Sequence, residues 1–133
     1  MPTEPTTENL VFDGCSGTID VEWLDGDRYR ILGPEVAIFT EDYSCGDIVE
    51  ADRNGDNALV VKRCLERGNY RTLEYVLAPG WHEKQTIKQV LDEVQRLGGR
   101  WVGIFGGVLV VALPPDADYD PTQDINDAMT GPV

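Results

Sequence analysis

Five apolar residues in one stretch of this chain keep a helical period. Ile87, Val90, Leu91, Val94 and Leu97 fall at i, i+3, i+4, i+7 and i+10, a single stripe along one helix face. Gly98-Gly99 follows as the stop. The spacing predicts a helix over residues 83–97. The other apolar runs are short, and turn residues separate them. One amphipathic helix has to bury its stripe against another layer, and short alternating runs supply a sheet.

The runs read as strands in order. Leu10-Val11-Phe12 is a short first strand, and Asp13-Gly14-Cys15-Ser16-Gly17 is turn chemistry. Residues 18–24 alternate, with Ile19, Val21 and Trp23 on one side and Asp20 and Glu22 on the other. Asp25-Gly26-Asp27 signals a hairpin into residues 28–32. Gly33-Pro34 breaks the run, and Val36-Ala37-Ile38-Phe39 reads as a short apolar strand or turn. Residues 46–51 form the next strand, and Asn54-Gly55 turns it back into residues 58–66. Residues 71–77 give a further strand, ended by Pro79-Gly80. After the helix come a strand over 100–105, a tight turn at Gly106-Gly107 and a strongly apolar strand over 108–113. That last strand is expected to be central and covered on both faces.

The resulting fold class is α+β. A small, largely antiparallel and partly barrel-like sheet (10–70) precedes a β-α-β-β half (71–115) with one main helix. Together they form one domain over 10–115. Residues 1–9, rich in Pro, Thr and Glu, are expected to be disordered, and 116–133 to be a loose acidic tail with a weak helix at 122–129.

Charge narrows the functional classes. The chain of 133 residues holds 24 Asp and Glu against 11 Lys and Arg, a net charge of −13. That argues against docking on nucleic acid or on an anionic membrane through overall charge. Hydrophobic residues make up 41% of the chain, enough for a core, so the acidity does not mark a wholly disordered protein. The acids are unevenly placed: residues 1–57 hold 14 acids and 3 bases, 58–100 hold 5 and 8, and 101–133 hold 5 and none. Around one hairpin, Lys62, Arg63, Arg67 and Arg71 cluster and are expected to pair across strands with the acidic front half.

Chemistry-bearing motifs are sparse. Cys15, Cys45 and Cys64 are an odd, widely spaced set, which fits free thiols in a reducing compartment. They and the single His82 lack zinc-type paired spacing. Asp52-Arg53-Asn54-Gly55-Asp56 opens like a calcium loop, but its glycine is misplaced and Arg63 stands where a bidentate glutamate is needed. Gly103-Ile104-Phe105-Gly106-Gly107 opens no helix and is no phosphate cradle. No cofactor is implied. The N-terminus lacks the basic and apolar regions of a signal peptide, and no run approaches a membrane span, so the expected location is cytoplasmic.

Three blocks together carry a resemblance. They are Gly26-Asp27-Arg28-Tyr29-Arg30-Ile31, Gly46-Asp47-Ile48-Val49-Glu50-Ala51 and Arg71-Thr72-Leu73-Glu74-Tyr75-Val76-Leu77. A helix ending in Leu97-Gly98-Gly99 and a closing Val110-Val111-Ala112-Leu113-Pro114 follow. The arrangement resembles a bacterial family of small domains of unknown function with G-D-x-Y-R and G-D-x-V-x-A blocks, over about residues 18–115. Where the family pattern has an Asn-x-Pro-Phe-Phe type segment, this chain has Leu32-Gly33-Pro34-Glu35-Val36. The resemblance implies a bacterial origin and the same α+β layout, and it transfers no catalytic residue.

The expected function is a non-enzymatic acidic protein-binding module. An immunity protein or an inhibitor of a basic bacterial toxin or nucleic-acid enzyme is the typical form. Its expected contacts are the loop acids Glu35, Glu41, Asp42 and Asp47, with the aromatics Tyr43 and Trp81. The expected partner is a basic protein, with no nucleic acid and no membrane. One alternative is a small enzyme using His82 or a cysteine, with Trp81 lining a pocket. Another is a structural or regulatory domain that self-associates through an exposed sheet edge.

Overall fold

The computed structural model describes residues 5–12 and 15–130. The chain divides into two units, one up to Tyr70 and one from Arg71 onward, each with its own hydrophobic cluster.

The first unit is a closed five-stranded barrel of β1 (Thr6–Phe12), β2 (Cys15–Asp25), β3 (Arg28–Ile31), β4 (Ile48–Arg53) and β5 (Leu59–Glu66). Successive strands pair antiparallel. A parallel pairing of β1 with β5, at Leu10 opposite Leu59 and Val11 opposite Val60, closes the ring. Alternation determines which side chains fill it. Leu10, Phe12, Ile19, Val21, Ile31, Val49 and Leu59 point inward and are essentially inaccessible.

Strand β1 starts earlier than sequence composition predicts. Residues 6–9 are in the ladder, opposite 18–21 of β2. The Thr7 hydroxyl donates to Asp20 at 2.6 Å, and Glu8 holds Arg53 through two bonds at 3.0 Å. Partners distant in sequence thus order a stretch whose composition alone reads as loose. Residues 1–4 of that expected disordered stretch lie outside the described residues.

Residues 36–39 are not a strand but a one-turn helix, α1 (Val36–Phe39). Pro34 presets a helical φ just before it, and Val36 is buried against the barrel core. At the β4–β5 turn the left-handed residue is Asn57, at φ 63°, rather than Gly55. Asn54 Oδ1 accepts from the amides of Asp56 and Ala58 at 2.9 and 3.0 Å and so builds the turn.

The second unit is a three-stranded antiparallel sheet in the order β6 (Arg71–Val76), β8 (Val108–Leu113), β7 (Arg100–Ile104). Strand β8 is central, and Leu109 to Leu113 are inaccessible. Helix α2 (Gln85–Arg96) lays Ile87, Val90, Leu91 and Val94 on this sheet, the stripe read from the sequence. Gly98 ends it at φ 85°.

The tail carries the helix expected at 122–129, and it is docked rather than loose. Helix α3 (Thr122–Thr130) buries Ile125 in the second cluster. Asp120 Oδ1 accepts from the Thr122 amide at 2.9 Å, and Tyr75 shares a 2.8 Å hydroxyl bond with Thr122. Arg71 donates to the Tyr119 carbonyl.

Candidate functional site

The six expected contact residues do not form one surface. Glu41 and Asp42 are exposed on the loop between α1 and β4. Tyr43 is half-buried, with its ring tilted against Phe12 at 6.1 Å between centroids. Glu35 is half-buried at the start of α1.

Asp47 is fully buried and cannot meet a partner. Its carboxylate accepts from the Ser44 amide at 3.0 Å, the Gly68 amide at 2.9 Å and Arg67 at 3.0 Å. It binds the loop before β4 to the segment after β5. Close packing, with a left-handed φ of 92° at Gly46, explains why glycines stand there. A Cβ on Gly68 would lie 2.4 Å from the Gly46 carbonyl carbon, and one on Gly46 would lie 2.4 Å from the Tyr70 ring.

Trp81 is also buried, at 8% exposure. Its indole fills the space that Gly103 leaves by lacking a side chain, where a Cβ would come within 2.9 Å of the ring. Its Nε1 points at the Gly106 carbonyl at 3.4 Å, and exposed His82 stands edge-on to it at 5.7 Å.

Electrostatic pairing sorts the remaining acids. Every arginine of the barrel unit has a carboxylate: Arg28–Asp25, Arg30–Glu22, Arg53–Glu8, Arg63–Glu50 and Arg67–Asp47. Exposed acids of that unit with no ion pair among the described residues are Asp27, Glu41, Asp42, Asp52, Asp56 and Glu66. They gather at two ends. The Ala51 amide donates to the Asp27 carbonyl at 2.9 Å, which brings the Asp27 turn beside Asp52 and the Asp56 turn. At the opposite end Arg67 donates to the Asp42 carbonyl, next to Glu66. The segment 35–52 is therefore not one continuous acidic face.

Four exposed apolar side chains escape the sequence reading: Trp23 at 44%, Leu65 at 40%, Val76 at 87% and Phe105 at 78%. Trp23 adjoins the Asp27 turn and donates to the Gly26 carbonyl at 3.0 Å. Phe105 heads the β7–β8 turn, where Phe105 and Gly106 are left-handed, one position earlier than the expected Gly106-Gly107. The one signal for Phe105 in the sequence is an aromatic placed directly before two turn glycines.

Nucleophile chemistry finds little support in this geometry. Cys45 is buried and donates to the Leu32 carbonyl at 3.2 Å, while Cys15 is exposed. Burial and the nearby Asp47 push the Cys64 thiol above its ordinary range. Among the described residues no three His, Cys, Asp or Glu side chains are grouped to hold a metal ion. A shallow cleft of about 170 Å³ is lined by Gln95, Gly99, Arg100 and Trp101, with neither His82 nor a cysteine in its wall. Among the described residues no helix is long and apolar enough to cross a membrane.

Comparison with solved structures finds a hypothetical protein from Neisseria gonorrhoeae similar at a TM-score of 0.58 and 15% identity. The match covers 88% of this chain and 81% of that one, a likeness of fold alone. Comparison with curated proteins gives no match. A family model for a domain of unknown function matches residues 17–131, and the chain belongs to that family, DUF4265.

Proposed function

We propose that this chain is a non-enzymatic binding module whose acidic barrel engages a basic protein. The supporting observation is that each barrel arginine pairs with a carboxylate, while six exposed acids of that unit have no ion pair among the described residues. Such a surplus speeds encounter with a basic partner, up to about 10⁸–10⁹ M⁻¹s⁻¹ at low salt. An immunity protein or inhibitor that neutralises a basic toxin or nucleic-acid enzyme is the form this reading takes. Glu41 and Asp42 stay in its contact set, and Asp27, Asp52, Asp56 and Glu66 join them. Asp47 and Trp81 leave the set because they are buried.

The immobilised protein, incubated with extract of its own organism, tests this. The expected result is a basic protein retained at low salt and released at high salt. Glu41→Lys/Asp42→Lys or Asp52→Lys/Asp56→Lys should weaken retention. Retention of no basic protein, or retention indifferent to salt and to both charge reversals, would sink the reading.

A further inference from the structure

Among the described residues, three non-glycine positions have left-handed backbone: Asn57 at φ 63°, Asn69 at 59° and Phe105 at 54°. Asparagine tolerates that region, whereas an aromatic residue rarely occupies it. Phe105 gains no burial in return, since its ring is 78% exposed. A strained backbone that holds a large apolar side chain out in water calls for an explanation outside the fold.

The turn is firmly held. The Leu77 amide donates to the Gly107 carbonyl at 2.7 Å, and Ile104 pairs with Val108. Trp81 backs Gly103 and approaches the Gly106 carbonyl at 3.4 Å. The ring is thus presented on a rigid mount, which lowers the ordering cost of binding. Across the same end of the sheet, Val76 lies opposite Val108, and Val108 opposite Ile104. Alternation puts these three side chains on one sheet face, with Val76 87% exposed and Glu74 two residues back on the same face.

Charge selects the occupant. At −13 the chain repels its own copies and anionic lipid surfaces. The same charge draws a basic protein. We infer that Phe105, seconded by Val76, is the apolar anchor of this module and seats in a nonpolar pocket rimmed by Lys and Arg on a basic protein partner. This rests on the binding-module reading and names its contact on the second unit.

The test replaces Phe105 in the full chain with the photoreactive analogue p-benzoylphenylalanine, expressed in the native organism, with exposed Gln89 on α2 as control position. Irradiation should give an adduct with a basic protein from position 105 and none from 89. No adduct at 105, an adduct of twice the chain mass, a lipid adduct, or an adduct with an acidic or neutral protein would each overturn the inference. In a second arm, Phe105→Asn should keep or raise the melting temperature, since asparagine accepts the backbone. It should also weaken capture of the cross-linked partner by about tenfold or more. A lowered melting temperature with unchanged capture would mean that Phe105 serves the fold. Salt-sensitive capture of a basic protein by the wild type, without an adduct at 105, defeats this inference and leaves the acidic reading standing.

Discussion

Asp47 is fully buried, yet its carboxylate meets the half-exposed guanidinium of Arg67 at 3.0 Å. The charge of the pair is shared between interior and solvent, while the Ser44 and Gly68 amides depend wholly on the buried end. Removing the carboxylate strands both amides. Asp47→Ala should therefore lower stability by about 3 kcal/mol in urea titration. Asp47→Asn should recover only part, because its amide nitrogen would face a donor. Full stability of Asp47→Asn would show that the negative charge is not needed there.

Two glycines should respond differently to one methyl group. At Gly68 the obstacle is the Gly46 backbone at 2.4 Å, which cannot rotate away. At Gly103 it is the edge of the Trp81 ring at 2.9 Å, which can tilt. Gly68→Ala should cost about 3 kcal/mol and Gly103→Ala about 1 kcal/mol, read as shifts of the denaturation midpoint. Equal costs would contradict the ranking.

Acid should loosen the barrel through Glu8. Its bonds to Arg53 hold the carboxyl below the ordinary 4.5. The folded value lies under the unfolded one, so the pair stabilises above about pH 4.5 and its contribution disappears as pH falls through the folded value. Arg53 is 41% exposed at its side chain, so solvent limits the effect to about 1 kcal/mol or less. Glu8→Gln should flatten the acid limb of a stability–pH curve and lower the plateau above it. An unchanged limb would place the acid sensitivity elsewhere.

Ile125 tests the docking of α3. At 1% exposure it is as deep in the second cluster as the residues of the central strand. Ile125→Ala should cost about 3 kcal/mol in the transition that reports the second unit. Loss of a few tenths would mean that the helix is peripheral.

Thiol labelling should be graded. Cys15 is exposed, Cys64 is half-buried with its thiol pushed up, and Cys45 is buried behind its bond to Leu32. Near pH 8 a small disulfide reagent should modify one thiol quickly, a second slowly and the third only on unfolding. Three equally fast thiols would contradict the burial order.

How legible these features are in the sequence follows from the range of the interactions behind them. The α2 stripe and its Gly98 stop are local patterns, and periodicity reveals them. Strand alternation likewise indicates the inward Ile19 and Val21 of β2 and the central place of β8, but not the exposure of Trp23, where a register shift interrupts the β2–β3 ladder. Residues 6–9 and 36–39 mislead because partners far along the chain determine their state: Asp20 and Arg53 for the first, the barrel core for the second. Asp47 reads as a surface acid because a carboxylate usually is one. Its burial is offset by the nearby Ser44 amide together with the distant Arg67 and Gly68. Trp81 reads as exposable because the cavity that takes it is made by a missing side chain at Gly103. Phe105 is concealed by its neighbours, since a glycine pair draws the turn one residue too late.

The closure of the barrel has a dynamic consequence. The β1–β2 ladder runs over seven residue pairs, but the parallel seam between β1 and β5 is only two pairs long, with Glu8–Arg53 beside it. That seam is the shortest join of the ring, with β3–β4 next at three pairs, and the ring should open there first. The β1–β2 hairpin can swing out as a unit while β3, β4 and β5 stay paired, so the amides along that seam should exchange with solvent well before those of β4. The barrel behaves less as a sealed cylinder than as a strap fastened by a single buckle.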